Sequence, residues 1–228
     1  IAHHKGGAGK STTTANLAGG IARLLPSIRI LVCDLDPQAN STKILFPFNK
    51  RDYLVQTTLA HVYAGKAKLD DAIVPTMTKG VDLAPSSIDL FDQEQVIAGG
   101  PAALIGLYTM LTRYGTLDRY DLVILDLPPN LGTFMMNGLF ASSHVLIPVS
   151  VSDDWGLKGL HVIKSRLEAV NQLRGRDRSP SQVVGYLITR ADMRTNVAQM
   201  MVPAIRGEFG TMVFESVIHE NTDVQKGN

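Results

Sequence analysis

Residues 4–12 read His-Lys-Gly-Gly-Ala-Gly-Lys-Ser-Thr, a run in which three glycines lead into a lysine and a hydroxyl. Glycine lets successive backbone N–H groups turn inward around phosphate oxygens, which side chains would obstruct. A helix beginning near Lys10 would add its positive N-terminal end at the same place. Lys10 is then spaced to reach the β- and γ-phosphates of a nucleotide, and Ser11 to offer its hydroxyl to Mg²⁺. Gly6, Gly7, Ala8, Gly9, Lys10, Ser11 and Thr12 form the predicted nucleotide-binding loop. The common phosphate-loop pattern has glycine where His4 stands, so this run departs from it by one residue. A glycine-rich strand-to-helix turn without a ligand is the competing reading, but it gives the Lys10-Ser11 pair no reason to follow the glycines.

Carboxylates follow at two further places. Cys33-Asp34-Leu35-Asp36-Pro37-Gln38-Ala39-Asn40 ends an apolar, β-rich run, and alternation along a strand puts Asp34 and Asp36 on one side of its C-terminal end. Open α/β sheets bind ligands at that end. Two carboxylates beside a triphosphate would repel it unless a metal or a water needs them. Turn and capping aspartates ahead of Pro37 are the alternative. Residues 121–130 have the form of a Walker B strand: four apolar residues bury it and deliver Asp126 to a Mg²⁺ site, where it would act through the metal's water shell. Pro128 and Pro129 stiffen the loop that follows, so departure of a γ-phosphate would be felt there as a displacement.

With these motifs the sequence resembles the ParA/MinD family of deviant Walker ATPases. Lys5 carries the resemblance, because a lysine at this place separates that family from ordinary phosphate-loop proteins. In the family it reaches across a dimer interface to the partner's nucleotide. The resemblance implies ATP and Mg²⁺ as cofactors and a homodimer in the ATP state. It makes Lys5, Lys10 and Asp36 catalytic, with Asp36 orienting the attacking water. It assigns Ser11, Asp34 and Asp126 to the metal, Asp34 by supporting the Mg²⁺ and water network. Ala39 stands where relatives often have glycine, and Asn130 where they usually have serine; both are mild departures. Residues 59–74, 81–86, 147–149 and 156–160 extend the likeness over essentially the whole chain, toward the chromosome and plasmid partition branch.

Other branches fit less well. Iron–sulfur carriers of this kind need interface cysteines, and Cys33 is the single cysteine, inside a predicted buried strand. Membrane-bound relatives use a basic amphipathic tail, which the sequence does not show, and Asp36-Pro37-Gln38 favours the partition branch. That branch binds DNA without sequence preference as an ATP dimer, in the cytoplasm on the nucleoid, and answers to a ParB-like or other activator protein. Residues 189–196 resemble its Thr-x-x-Asp-x-Arg-Thr-Asn segment, so Arg194 is the expected phosphate contact. Arg190 and the Arg174, Arg176, Arg178 cluster stand behind it, and for the cluster a solvated face is the plainer reading. Ile218-His219-Glu220-Asn221, followed by Asp223, stands where relatives commonly read Ile-Pro-Arg-Asn and a further arginine. Acid there replaces part of the expected DNA surface. A MinD-like positioning ATPase and a small-molecule ligase of the dethiobiotin synthetase type are the alternative functions.

Elements able to place these residues alternate along the chain. Apolar runs predict strands at 28–34, 122–126, 145–149 and 183–189, buried on both faces. Helices are predicted at 11–25, 90–114, 132–141, 156–173 and 195–209, with a surface loop at 175–181. The alternation predicts an α/β, doubly wound, mainly parallel sheet with helices on both faces. The 228 residues, 45% of them apolar, suit one domain spanning 1–228. Both ends read as trimmed: only residues 1–4 remain to supply the strand that feeds the phosphate loop, and a C-terminal helix is expected beyond the polar last residues. With 22 Lys and Arg against 21 Asp and Glu, affinity for nucleic acid must come from a local patch. No apolar run approaches the ~20 residues that span a bilayer, so a soluble cytosolic protein is expected. His3 and His4 are expected on opposite faces of a strand and unable to share a metal. His61, His144, His161 and His219 show no ligand spacing. Met135, Met136 and Phe140 are read as packing.

Overall fold

A computed structural model describes residues 1–46, 57–100, 102–113, 115–151, 156–175 and 178–220. Its strands are β1 (Ile30–Asp34), β2 (Val74–Pro75), β3 (Val81–Ala84), β4 (Leu122–Asp126), β5 (His144–Ser150), β6 (Gln182–Ala191) and β7 (Val213–His219). They pair in the orders β2-β3-β1-β4 and β5-β6-β7, all parallel except β2 with β3. The residues ahead of the phosphate loop join the two groups. Ile1 N donates to Leu125 O at 2.5 Å and Ile1 O accepts from Leu127 N at 3.3 Å, while Ala2 N donates to Leu146 O at 3.1 Å. The segment that feeds the loop therefore lies between β4 and β5 and makes one sheet of the two.

Helices cover both faces because side chains of a strand alternate. All five residues of β1 are buried. Ile30 and Val32 pack with Ala15, Ala18 and Ala22 of α1 (Lys10–Leu24) and Leu45 of α2 (Asn40–Leu45). Leu31 and Cys33 face the larger core on the other side. That core draws on α3 (Leu59–Tyr63), α4 (Leu69–Ala72), α5 (Leu90–Ile97), α6 (Ala102–Arg113), α8 (Thr133–Ala141), α9 (Gly156–Leu173) and α10 (Asn196–Phe209). A short α7 (Thr116–Arg119) precedes β4. Met135 and Phe140 are buried in this core, Phe140 beside Tyr108. Each such buried side chain contributes about 1.5–3 kcal/mol, which is why the sheet holds its edges in fixed register. The fold is the doubly wound α/β arrangement the alternation predicts.

Several elements differ from expectation, the short β2, α2, α3, α4 and α7 among them. The single helix predicted over 90–114 is two, α5 and α6, because Gly99-Gly100-Pro101 interrupts it: glycine costs about 1 kcal/mol in a helix and proline disfavours helical backbone just before it. Strand β7 has no counterpart among the predicted strands; five of its seven residues are exposed, so it carries no apolar run. Thr195 caps α10 from outside, its Oγ1 accepting from Ala198 N at 3.2 Å. Among the described residues no helix is long and apolar enough to cross a membrane.

Candidate nucleotide-binding site

Gly7 and Gly9 take φ of 78° and 80°, the left-handed region that glycine enters without strain. Gly9 caps α1 and Lys10 is its first residue, so the loop ends on a helix N-terminus. Lys10 is 6% exposed and its Nζ donates to Lys5 O at 3.3 Å. Burial lowers its pKa, against the charges of Asp126 and Asp36. Lys5 is half-buried at the entry of the loop, with its N–H on His3 Nδ1 at 3.2 Å. A cavity of about 440 Å³ opens over the loop, walled also by Asp36, Pro129 and the ends of β6 and β7.

The three aspartates have different surroundings. Asp36 lies on the cavity wall, its Oδ1 accepting from Gln38 N at 2.9 Å. Asp34 is fully buried and turned to the protein: its Oδ2 accepts from Thr42 N and Thr42 Oγ1, both at 2.8 Å, and its Oδ1 from Asp36 N at 3.1 Å. Asp126 sits opposite Asp34 in the β1–β4 register. Its Oδ2 accepts from Ser41 Oγ at 2.6 Å, and the Ser11 hydroxyl lies near enough to work against the rise of its pKa. Burial, then the charge of Asp126, push Asp34 up to about 8; burial likewise raises Asp126. Asp126 Oδ1 is buried with no hydrogen-bond partner. A water of a hydrated Mg²⁺ is a donor that suits this oxygen, and Ser11 is already beside it, so these residues fit a metal-bound triphosphate. Asp34 lies one step further in and acts on Asp36 and Thr42.

Sequence reasoning missed the hydroxyls that brace the site. Ser86 Oγ donates to Asp36 O at 2.7 Å, and Ser86 N to Thr42 Oγ1 at 2.9 Å, which ties the end of β3 to the loop after β1. Ser41 and Thr42, three and four residues after Gln38 of the Asp-Pro-Gln run, were the available signal. Ala39 adopts φ 54°, the left-handed region, which explains why glycine suits that place and costs this chain about 1 kcal/mol. Asn130 turns to Glu94, at 3.5 Å, and to Gly132 N at 3.3 Å. His3 and His4 do not diverge as a strand would have them: their ring centroids are 4.9 Å apart, since the chain has already left the extended conformation. Burial first, then nearby positive charge, takes His3 down to about 4 and lowers His4.

The arginines separate. Arg194 is exposed at 90%, forked onto its own neighbour Asp192 with two contacts of 2.8 Å. Arg190 is turned to the nucleotide cavity instead, donating to Gly7 O. Arg174 donates to Ser142 O at 2.7 Å and Arg178 to Phe140 O at 3.1 Å, so both cap the C-terminus of α8. Arg178 also stacks 3.7 Å from the Tyr108 ring centroid. The solvated face expected of this cluster is therefore a helix cap. Arg176, Asn221 and Asp223 lie outside the described residues.

A family model for an AAA domain matches residues 1–177. The chromosome-partitioning ATPase Soj of Thermus thermophilus is 35% identical over 222 residues, covering 97% of this chain and 80% of the relative. The chain belongs to the ParA/Soj family of P-loop ATPases. An uncharacterised protein of Mycobacterium tuberculosis is 32% identical over 221 residues, 96% of this chain, and this chain spans 65% of that relative's length. Cobyrinic acid a,c-diamide synthase from Mycobacterium smegmatis with bound ADP and magnesium superposes with a TM-score of 0.80 at 27% identity, over 97% of this chain and 85% of that one. Within the ParA/Soj chain, then, the loop, Asp36 and the Ser11–Asp126 contact are the parts that meet at one end of the sheet.

Proposed function

We propose that the chain is a single-domain ATPase switch that binds Mg-ATP, dimerises on it, holds duplex DNA without sequence preference, and releases it on hydrolysis to ADP and phosphate. The observation that carries this reading is the convergence of Lys10, Ser11 and Asp36 on the cavity over the phosphate loop, with Asp126 buried behind Ser11. Loop N–H groups and Lys10 would hold the phosphates. Ser11 and Asp126 would hold Mg²⁺, which when bound supplies charge neutralisation at the phosphates. Asp36 accepts a hydrogen bond from the water and aims it along the line of the bond being broken. The prolines after Asp126 pass loss of the γ-phosphate to the dimer contact. Its setting would be the cytoplasm and nucleoid, with a ParB-like activator.

Dimerisation is tested at Lys5. Lys5→Ala should weaken ATP-dependent dimerisation at least about tenfold, because the partner's phosphates lose a cation in a desolvated interface. Light scattering with a non-hydrolysable ATP analogue reads this, and unchanged dimerisation would make Lys5 a bystander.

DNA binding is tested at Arg194. Net charge is only +1, so the basic surface must be assembled by pairing two copies. Anisotropy titrations of random duplex at two salt concentrations should show weak binding without ATP and tighter binding with it. Arg194→Ala should lower affinity equally on every duplex and reduce the salt slope by about one for each phosphate no longer neutralised. An ATP-bound dimer with no affinity for random duplex at low salt sinks the nucleoid reading and favours a membrane or protein track. A small-molecule ligase is the second reading, favoured by the likeness to a cobyrinic acid a,c-diamide synthase. Turnover accelerated by a partner protein with duplex DNA, and not by a small acid, separates the two.

A further inference from the structure

A phosphate loop presents its N–H groups inward, so its carbonyls point outward and need donors of their own. Two of these donors are consecutive residues at the end of β6. Thr189 Oγ1 donates to Ala8 O at 3.0 Å, buried, and Arg190 Nη1 donates to Gly7 O at 3.1 Å. Alternation along a strand would send neighbours to opposite faces. Arg190 escapes this by adopting φ 53°, a region costly for a residue with a β-carbon, and so reaches the same loop. The other arm of its guanidinium meets Glu220 Oε1 at 2.9 Å, just beyond β7. His219 Nδ1 bonds Ala191 O at 3.1 Å and ties the two strand ends together. A β-carbon on Gly7 would stand 3.1 Å from Arg190 Nη1, so the guanidinium closes that side of the loop.

We infer that Thr189 and Arg190 are positioning residues of the phosphate loop, and that Glu220 sets Arg190, so that nucleotide affinity is coupled to the ends of β6 and β7. The planar fork is what allows one side chain to brace a carbonyl and be held by a carboxylate at once. This inference rests on the nucleotide reading above. The test is titration of the full chain with a fluorescent ATP analogue and Mg²⁺, beside thermal melts of the ligand-free protein. Arg190→Ala should weaken binding about fivefold, as expected for one partly exposed charge-assisted bond, with the loss appearing in KM more than in kcat. Glu220→Gln should act in the same direction and more weakly, and Arg190→Lys should recover part of the loss. The double variant R190A/E220Q should bind no worse than R190A, because Glu220 acts through Arg190. Thr189→Val should weaken binding about tenfold; where it fails to fold, the exposed Arg190 series decides alone. Wild-type affinity in R190A, with only its melting temperature lowered, overturns the inference, as does full additivity with E220Q. Failure of the wild-type chain to bind the analogue overturns the nucleotide reading instead.

Discussion

Asp36→Ala is expected to bind ATP with near-native affinity and to turn it over at least about 100-fold more slowly, accumulating as a dimer. Asp36 stands on the cavity wall with one oxygen on Gln38 N, and toward the phosphate loop it acts through its charge on Lys10. Its backbone carbonyl, held by Ser86 Oγ and Ala39 N, survives the substitution, so the loop after β1 keeps its course. The loss therefore falls on orientation of water in the transition state and not on ground-state binding. Phosphate release, read beside an equilibrium nucleotide titration, separates the two. Turnover at the normal rate would show that the water is aimed by another group.

Lys10→Ala is expected to lower nucleotide affinity by about 100-fold or more, since a desolvated cation facing phosphate is worth roughly 2–5 kcal/mol. Lys10 is 6% exposed, at the first turn of α1, with the charges of Asp126 and Asp36 acting on it. Removing it would leave those carboxylates less compensated at the place where triphosphate arrives. Lys10→Arg should not restore binding, because a planar fork cannot occupy the space of a compact ammonium among glycines. Calorimetric titration, with circular dichroism to show that α1 and the sheet persist, reads the effect. Native affinity in K10A would mean that the loop does not hold the triphosphate.

The phosphate loop, Asp36 and Asp126 were legible in residues alone because each motif is a local strand-to-turn unit whose spacing is its geometry. Sheet class was legible for a similar reason: strands buried on both faces, such as β1, read as unbroken apolar runs. The edge strand β7, largely exposed, has no such run. The break between α5 and α6 was written in Gly99-Gly100-Pro101, and the apolar pattern on either side concealed it.

What tertiary structure decided was which partner each polar side chain meets. Asp34 and Asp36 share a strand end, yet only Asp36 faces the cavity, because Thr42 from α2 closes on Asp34. Arg174 and Arg178 are helix caps because α8 ends beneath them. Glu220, which in the sequence is an acid standing in a DNA surface, is the partner of Arg190. Thr189 and Arg190 reach the phosphate loop across 181 and 183 residues of chain. No spacing or periodicity encodes such a contact; it follows from the order of strands in the sheet, which places the end of β6 beside the loop that precedes α1.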